Sequence, residues 1–469
     1  MLPLARLEDE PKSGAIYVDL FYSAILTGFF NRESNRLHTN TLTSNTDFSP
    51  GIKAAIGFYD LAGRILLPFL GLNKRLLAGW DQRRLKVPPP RADFWLQAAS
   101  AGEAYLAREI INTLTPPNPI QVLVTTNTSQ GMEILAKTQA DLHAARRDIR
   151  MTARYFPFDR PRIMKAAVDA IRPRLVGLLE TELWPGLLAV LKAMGIPAIM
   201  INGRINRSSL KRYMLWPAFW RSLAPDRIMA ISSRDVEKFS RLFDQSHISV
   251  MPNIKFDHWY RQLQTDTDTG RLERLFEPDR SLAVFGSVRR EEEKQVQAMI
   301  ARIFTQVPEA IIAIFPRHMD RLSQWQAYLN RDGVSWVIRS RVDGTVKKGT
   351  VVLWDTFGEL RDAYAMATAA FVGGSLAPLG GQNFLEPLAC GVLPVIGPSY
   401  HNFRWVGETI FKERLVCQAV NWAAAAEQMI ANLKNPVSHG TVCRRAERYA
   451  HNRTGGTRQA CRVIENYLN

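Results

Sequence analysis

The sequence is poor in the residues that staple small secreted proteins or hold metals. Its 469 residues include four cysteines, Cys390, Cys417, Cys443 and Cys461, with no C-x-x-C pair and no zinc-ligand spacing. That excludes a disulfide framework and points to reduced thiols in a reducing compartment. A clean apolar run of about 20 residues, enough to cross a bilayer, is also missing. Residues 14–30 carry Asp19, while residues 54–72 carry Asp60 and Arg64 and reach Pro68 near their end. No cleavable leader is expected, because acids accompany the bases in residues 1–13 and no small-residue cleavage site stands out. Basic residues do not gather in one block, and aromatic and basic residues do not interleave, so nucleic acid is not an expected partner.

What is present is globular. Hydrophobic residues make up 46% and charged residues 22%, in a chain long enough for two buried domains and an appendage. Lys and Arg number 60 against 44 Asp and Glu, a formal charge of +16 that favours anionic partners. Lys74, Arg75, Arg83, Arg84 and Lys86 follow the apolar residues 54–72. An apolar helix with a basic flank suits an interfacial anchor on an anionic membrane, and packing on the protein's own core is the alternative.

From Phe94 onward, short apolar runs alternate with helical segments. Strands are expected at 94–99, 120–126, 175–179, 197–202, 227–232 and 248–251, and then at 282–286, 311–316, 350–354, 370–373 and 393–396. A polar stretch, 258–280, separates the two sets. The rhythm predicts an α/β protein with two Rossmann-like domains of parallel sheet facing each other across a cleft. In such sheets ligands bind beyond the carboxyl ends of the strands. The polar residues to watch are therefore Ser100 to Glu103, Glu180 to Glu182, Asn202 with Arg204, Lys255, Pro316 to His318, and Asp355 to Glu359.

The densest signal is Gly373-Gly374-Ser375-Leu376 followed by Gly380-Gly381-Gln382-Asn383-Phe384-Leu385-Glu386. Paired glycines let backbone N–H groups approach an anion. Asn383 is placed to cap a helix aimed at a phosphate, with Glu386 in its first turn where it can accept from ribose hydroxyls. An ordinary β-α-β turn that needs glycine for packing is the competing reading.

With these motifs in order, the chain resembles the 3-deoxy-D-manno-octulosonic acid (Kdo) transferases of lipopolysaccharide assembly, as a divergent member. SAGE at 100–103, ETELWP at 180–185, NGR at 202–204, NIKFD at 253–257, PRH at 316–318, DTFGEL at 355–360, FVGGSL at 371–376 and GGQNFLEP at 380–387 carry the likeness. The resemblance implies the GT-B fold and inverting transfer of Kdo from CMP-Kdo to a lipid A precursor, lipid IVA, with no metal and no cofactor. It implies work at the cytoplasmic face of the inner membrane, against its anionic surface. Residues 1–50 have no counterpart and no assigned role. Residues 51–90 would form the helical anchor region, 91–270 the acceptor-binding domain, and 271–469 the nucleotide-sugar-binding domain with a C-terminal helix.

By the same resemblance Glu103 is the general base, and Glu180 and Lys255 support the transition state. Pro316, Arg317, Phe357, Gly358, Glu359, Asn383, Phe384, Leu385 and Glu386 would contact CMP. Each assignment competes with a structural one: first-turn helix charge for Glu103, a buried hydrogen-bond acceptor for Glu180, a solvated lysine for Lys255, an ion pair for Arg317. Departures stand beside the matches. Gln97 and Gln382 replace usual histidines, and Val288-Arg289-Arg290 occupies a usually His-containing segment. Arg289 and Arg290 either face an anionic donor or pair with Glu291 to Glu293. A transferase using another nucleotide sugar, or an inactive membrane-bound relative, is the alternative function.

Overall fold

The structure is a computed structural model that describes residues 48–71, 74–146, 148–265 and 270–469. The apolar residues 14–30 lie outside the described residues. The described chain divides into two compact units, one of residues 258–453 and one of the residues up to Asp257 together with Thr454–Asn469.

The first unit is built on seven strands: β1 (Phe94–Gln97), β2 (Ile120–Thr126), β3 (Ile149–Tyr155), β4 (Leu175–Leu179), β5 (Ala198–Gly203), β6 (Arg227–Ala230) and β7 (Ile248–Val250). They form one parallel sheet in the order β3-β2-β1-β4-β5-β6-β7. A central parallel strand is covered on both faces, so its sequence is apolar throughout. In β4, Leu-Val-Gly-Leu-Leu is buried at every position. Around the sheet the core gathers Trp95, Phe156 and Trp184, with ring centroids 5.9 and 4.8 Å apart along that series.

The second unit repeats the plan with β8 (Leu282–Val288), β9 (Ile311–Pro316), β10 (Trp336–Ile338), β11 (Val351–Leu353), β12 (Ala369–Val372), β13 (Pro394–Ile396) and β14 (Cys417–Gln418). These are also parallel, in the order β10-β11-β9-β8-β12-β13-β14. In each sheet the strand order reverses once at a central pair, β1 beside β4 and β8 beside β12. Such a switch point leaves a crevice at the carboxyl ends.

Three strands escaped the sequence reading, β3, β10 and β14, and all three are edge strands. An edge strand is covered less completely, so β3 alternates buried Ile149, Met151 and Ala153 with Arg150, Thr152 and Arg154. β10 and β14 are too short, at three and two residues, to show a period. The C-terminal helix Gly456–Leu468, expected to finish the second domain, belongs to the first unit.

The anchor candidate is a helix over Pro50–Leu70, begun by Pro50 at its first position and carrying Pro68 in its last turn. One face docks on the first unit. Tyr59 donates to Asp159 (2.9 Å), and Asp60 accepts from Arg160 Nε and Nη2 (3.0 and 3.1 Å). Arg83, counted in the basic flank, is instead buried, its guanidinium bonded to the carbonyls of Ala78, Phe156 and Asn127. Arg84 and Lys86 remain exposed. No helix among the described residues is long and apolar enough to cross a membrane.

Asp159 also accepts from the N–H groups of Gly186 and Leu187 (3.0 and 2.7 Å), which open the helix Pro185–Met194. Burial lifts its pKa to about 6. Asp159→Ala would strand two amide donors and the Tyr59 hydroxyl, at a cost of roughly 3 kcal/mol in all. The expected result is a lower melting temperature and tryptic cleavage at Arg64. Unchanged melting and cleavage would refute this account of how the helix is held.

Candidate functional site

In the first unit the sequence-predicted acids and lysine lie where β1 and β4 end. Ser100 caps the helix Ala101–Thr113, its Oγ accepting from Glu103 N–H (3.3 Å). The Glu103 carboxylate returns the contact, accepting from Ala99 N–H (2.8 Å) and from the Ser100 hydroxyl (3.1 Å). This reciprocal arrangement is close to a capping box. It holds Glu103 in one orientation at 1% exposure. The structural use weighed for Glu103 is therefore real, and it fixes the same carboxylate that a base would need.

Glu180 follows β4 with a left-handed backbone (φ 54°), a conformation that costs a non-glycine residue about 1 kcal/mol or more. Its side chain is 3% exposed and meets two cations. Arg204, just after β5, approaches Oε2 through Nε and Nη2 (2.8 and 2.7 Å), and Lys255 Nζ lies 3.3 Å from Oε1. A buried carboxylate is tolerable when paired in this way. The structure thus brings Glu180 and Lys255 together, and it adds Arg204. Its place in the Asn-Gly-Arg motif had marked Arg204 for attention without a role. Asn202, also left-handed (φ 58°), accepts through Oδ1 from Ile254 N–H (2.9 Å) and anchors the segment that carries Lys255.

The second unit corrects the reading of the glycine loops. The anion bound by the 373–376 backbone is the protein's own. Glu292, fully buried, accepts from the N–H groups of Gly374 (2.5 Å), Ser375 (3.2 Å) and Leu376 (3.2 Å), and from Arg289 N–H (2.9 Å). Burial pushes its pKa up, while these four amides pull it back. Glu292 follows β8 and the loop follows β12, so this carboxylate closes the switch point of the second sheet. A Cβ on Gly373 would overlap Ser287 O, which is the packing reason for glycine there. The amides of Gly381 and Gln382 go to the carbonyls of Gly374 and Gly373, and that of Gly380 to Ser399 Oγ. In the turn that follows, the amides of Asn383 and Phe384 are the ones not taken by a protein acceptor among the described residues.

Asn383 is not the N-cap: its Oδ1 accepts from Leu385 N–H (3.2 Å) in an Asx turn one residue ahead of the N-cap, Phe384, and the helix that follows, Leu385–Ala389, has only 5 residues. A single turn carries little dipole, so the donors in the turn, more than a macrodipole, are available to an anion. Glu386 is half-buried, and its pKa is raised to about 7 by burial, with the Arg361 charge working in the opposite direction. Pro316 ends β9, and Arg317 follows half-buried, its N–H bonded to Val288 O (2.8 Å). After β11, Phe357 is 71% exposed and Gly358 has φ 89°. The Glu359 side chain is committed internally. It takes two bonds from Arg339 (3.0 Å each), one from Trp354 Nε1 (2.8 Å) and one from Thr356 (2.7 Å). That leaves its backbone, not its carboxylate, for a ligand.

The acids beside Arg289 and Arg290 are also accounted for. Glu291 lies 3.8 Å from Arg289, Glu292 holds the glycine loop, and Glu293 makes a two-bond pair with Arg321 (3.0 and 2.7 Å). Arg290 is exposed. Of the two replaced histidines, Gln97 accepts from Thr125 Oγ1 (2.5 Å), with its Nε2 buried and unbonded; Gln382 Oε1 is likewise buried and unbonded. A cavity of about 740 Å³ in this unit is lined by Arg280, Ser281, Thr368 and Leu393, which precede β8, β12 and β13. It sits at the amino ends, away from all of these residues. Among the described residues no group of three or more His, Cys, Asp or Glu side chains could hold a metal ion.

Two parallel α/β sheets with polar groups collected at the carboxyl strand ends have the plan of the GT-B fold. Solved structures agree on the fold. A glycosyltransferase from Rickettsia africae ESF-5 superposes with a TM-score of 0.51 at 11% identity, covering 80% of this chain and 98% of that one. A UDP-N-acetylglucosamine 2-epimerase gives 0.53 at 13%, covering 81% and 96%. Residues 78–258 match the family model described as 3-deoxy-D-manno-octulosonic-acid transferase (kdotransferase). The 3-deoxy-D-manno-octulosonic acid transferase of Bordetella pertussis is 27% identical over 88% of this chain and 99% of its own length. That of Haemophilus influenzae is 27% identical over 79% and 88%. Over these lengths the chain is similar to the 3-deoxy-D-manno-octulosonic acid transferases.

The raised pKa of Glu386 has a measurable consequence. The folded chain keeps that proton up to about 7, whereas a free glutamate releases it near 4.5. Folding therefore binds a proton in that window, and the contribution to stability falls as pH rises through it, by at most about 1.4 kcal/mol per pH unit. Glu386→Gln should remove this slope, so the melting-temperature difference from wild type should change between pH 4.5 and 7 and level off above. Parallel curves for the two proteins would contradict it.

Proposed function

We propose that the protein transfers Kdo from CMP-Kdo to a lipid A precursor, with inversion, at the cytoplasmic face of the inner membrane. The observation that carries this reading is the placement of Glu103 and of the Glu180–Lys255–Arg204 cluster at the β1/β4 switch point, inside the stretch that matches the family model.

An acceptor hydroxyl attacks the anomeric carbon of Kdo. Its oxygen forms the new glycosidic bond, its proton passes to the Glu103 carboxylate, and the bond to the CMP phosphate breaks with its electron pair leaving on CMP. The cap around Glu103 fixes the orientation of that carboxylate through bonds to both of its oxygens. Lys255 and Arg204 give Glu180 a surplus of positive charge, which favours the carboxylate of the sugar or the leaving phosphate. In the second unit, Arg317 supplies a guanidinium fork for phosphate, and the Asn383 and Phe384 amides supply neutral donors. Glu386 reads the ribose hydroxyls, Phe357 offers an exposed ring to the base, and Pro316, Gly358, Glu359 and Leu385 contribute backbone surface.

Membrane attachment is supported by the free face of the helix Pro50–Leu70. Leu61, Ile65 and Phe69 are 51, 60 and 64% exposed, at a spacing of four that puts them on one stripe. Arg64 on that helix, with Arg84 and Lys86 after it, is exposed as well. Such a stripe, with cations beside it, suits the headgroup boundary of an anionic leaflet.

Glu103→Ala should reduce transfer from CMP-Kdo to lipid IVA by roughly 100- to 10,000-fold, the usual worth of a general base, with CMP affinity retained. Product analysis by mass reads the outcome. A wild-type rate would remove Glu103 from the chemistry, and a product carrying another sugar from another nucleotide donor would replace the donor assignment.

Changing Leu61, Ile65 and Phe69 together to Asp should lower co-sedimentation with phosphatidylglycerol vesicles at least tenfold, since each buried apolar side chain is worth about 1.5–3 kcal/mol. Equal sedimentation of the variant would mean that this face does not touch the bilayer.

A further inference from the structure

We infer that Asp257 is a positioning residue, which fastens the returning C-terminal helix to the start of the helix Ile254–Leu263 and so holds Lys255 against Glu180. The inference rests on the reading of Lys255 as a working group in transfer.

Lys255 is a point charge on a flexible stem of four methylenes, so its Nζ stays 3.3 Å from Glu180 only if its backbone is fixed. That backbone is the first turn of a helix, the part most prone to fray. Two side chains hold it from one direction. Asn202 accepts from Ile254 N–H (2.9 Å), and Asn253 from Lys255 N–H (3.0 Å).

The opposing hold comes from 200 residues further along the chain. Asp257 Oδ1 accepts from Gly455 N–H (2.6 Å), and Oδ2 accepts from both the N–H and the hydroxyl of Thr457 (2.6 Å each). These donors open the helix Gly456–Leu468, so one carboxylate sits at the amino ends of two helices and is favoured by both. All three bonds are short and charge-assisted, the stronger class of protein hydrogen bond. Beneath them Gly456 lies against the Pro252 carbonyl so closely that a Cβ would overlap it. Residues 252–257 are therefore gripped between the end of β5 and the last helix of the chain. Residues two apart on a helix point in different directions, so Asp257 acts on Lys255 through the backbone they share.

The test is a double-mutant cycle on the full chain with Asp257→Asn and Lys255→Ala, assayed with CMP-Kdo and lipid IVA. Asp257→Asn is expected to lower kcat about tenfold with donor KM unchanged, and to cost nothing further once Lys255 is already Ala. Amide hydrogen exchange at residues 254–257 should quicken in Asp257→Asn. Thr457→Val removes one of the three bonds and should move kcat and exchange the same way by less. It also carries the cycle if Asp257→Asn proves too unstable to purify. The same fold-loss in both backgrounds, or exchange at the wild-type rate, would overturn the inference. Full activity in Lys255→Ala alone would instead defeat the catalytic reading of Lys255, and the inference with it, while faster exchange would still separate that failure from a failure of the clamp.

Discussion

The interaction on which the first unit's site depends is the pairing of one buried carboxylate with two cations. Taking Glu180 out of water costs several kcal/mol unless opposite charge and hydrogen bonds replace the lost hydration. Arg204 and Lys255 supply both, at 2.7 and 3.3 Å. They come from different places, Arg204 from the end of β5 and Lys255 from the helix after β7. Holding them at one point in turn recruits the left-handed backbone at Glu180 and Asn202 and the Asn202 bond to Ile254. Sheet order, backbone strain and helix register thus serve a single electrostatic requirement.

The second unit meets the same kind of requirement in another way. Its switch point is filled from within by Glu292, which satisfies the amides of the 373–376 loop and is satisfied by them. A phosphate cannot use donors already taken by a carboxylate. Ligand-facing donors are consequently pushed to the next turn, at Asn383 and Phe384, and to side chains such as Arg317. Glycine in this loop serves close packing, as the overlap of a Gly373 Cβ with Ser287 O indicates. Both uses weighed for the loop from sequence were backbone uses, and the one realised at 373–376 is structural.

Much of this was legible beforehand. Apolar runs marked the central strands because a parallel strand buried on both faces has no polar positions to spare. The motif order placed Glu103, Glu180, Lys255 and Arg317 shortly after strands and Asn383 in the turn before a helix, where the structure finds them. The losses are equally physical. β3, β10 and β14 went unread because edge strands are either half-covered or too short to show a period. Arg83 looked like part of a surface charge cluster and is a buried bridge between three carbonyls. Glu292 was expected only as one of three acids that could pair with Arg289 and Arg290, and nothing local distinguishes it from Glu291 or Glu293.

The sequence by itself therefore determined the elements, their alternation and the chemical types collected at strand ends, since these follow from period, capping and turn chemistry within a few residues. Only the tertiary structure decided which charges meet. Glu180 with Arg204 and Lys255, Glu292 with the glycine loop, Glu359 with Arg339, and Asp257 with Thr457 join residues 20 to 200 positions apart. Such partners are selected by desolvation: a carboxylate carried into the interior by packing takes whatever donors the fold delivers there, and the order of the chain does not encode that meeting locally.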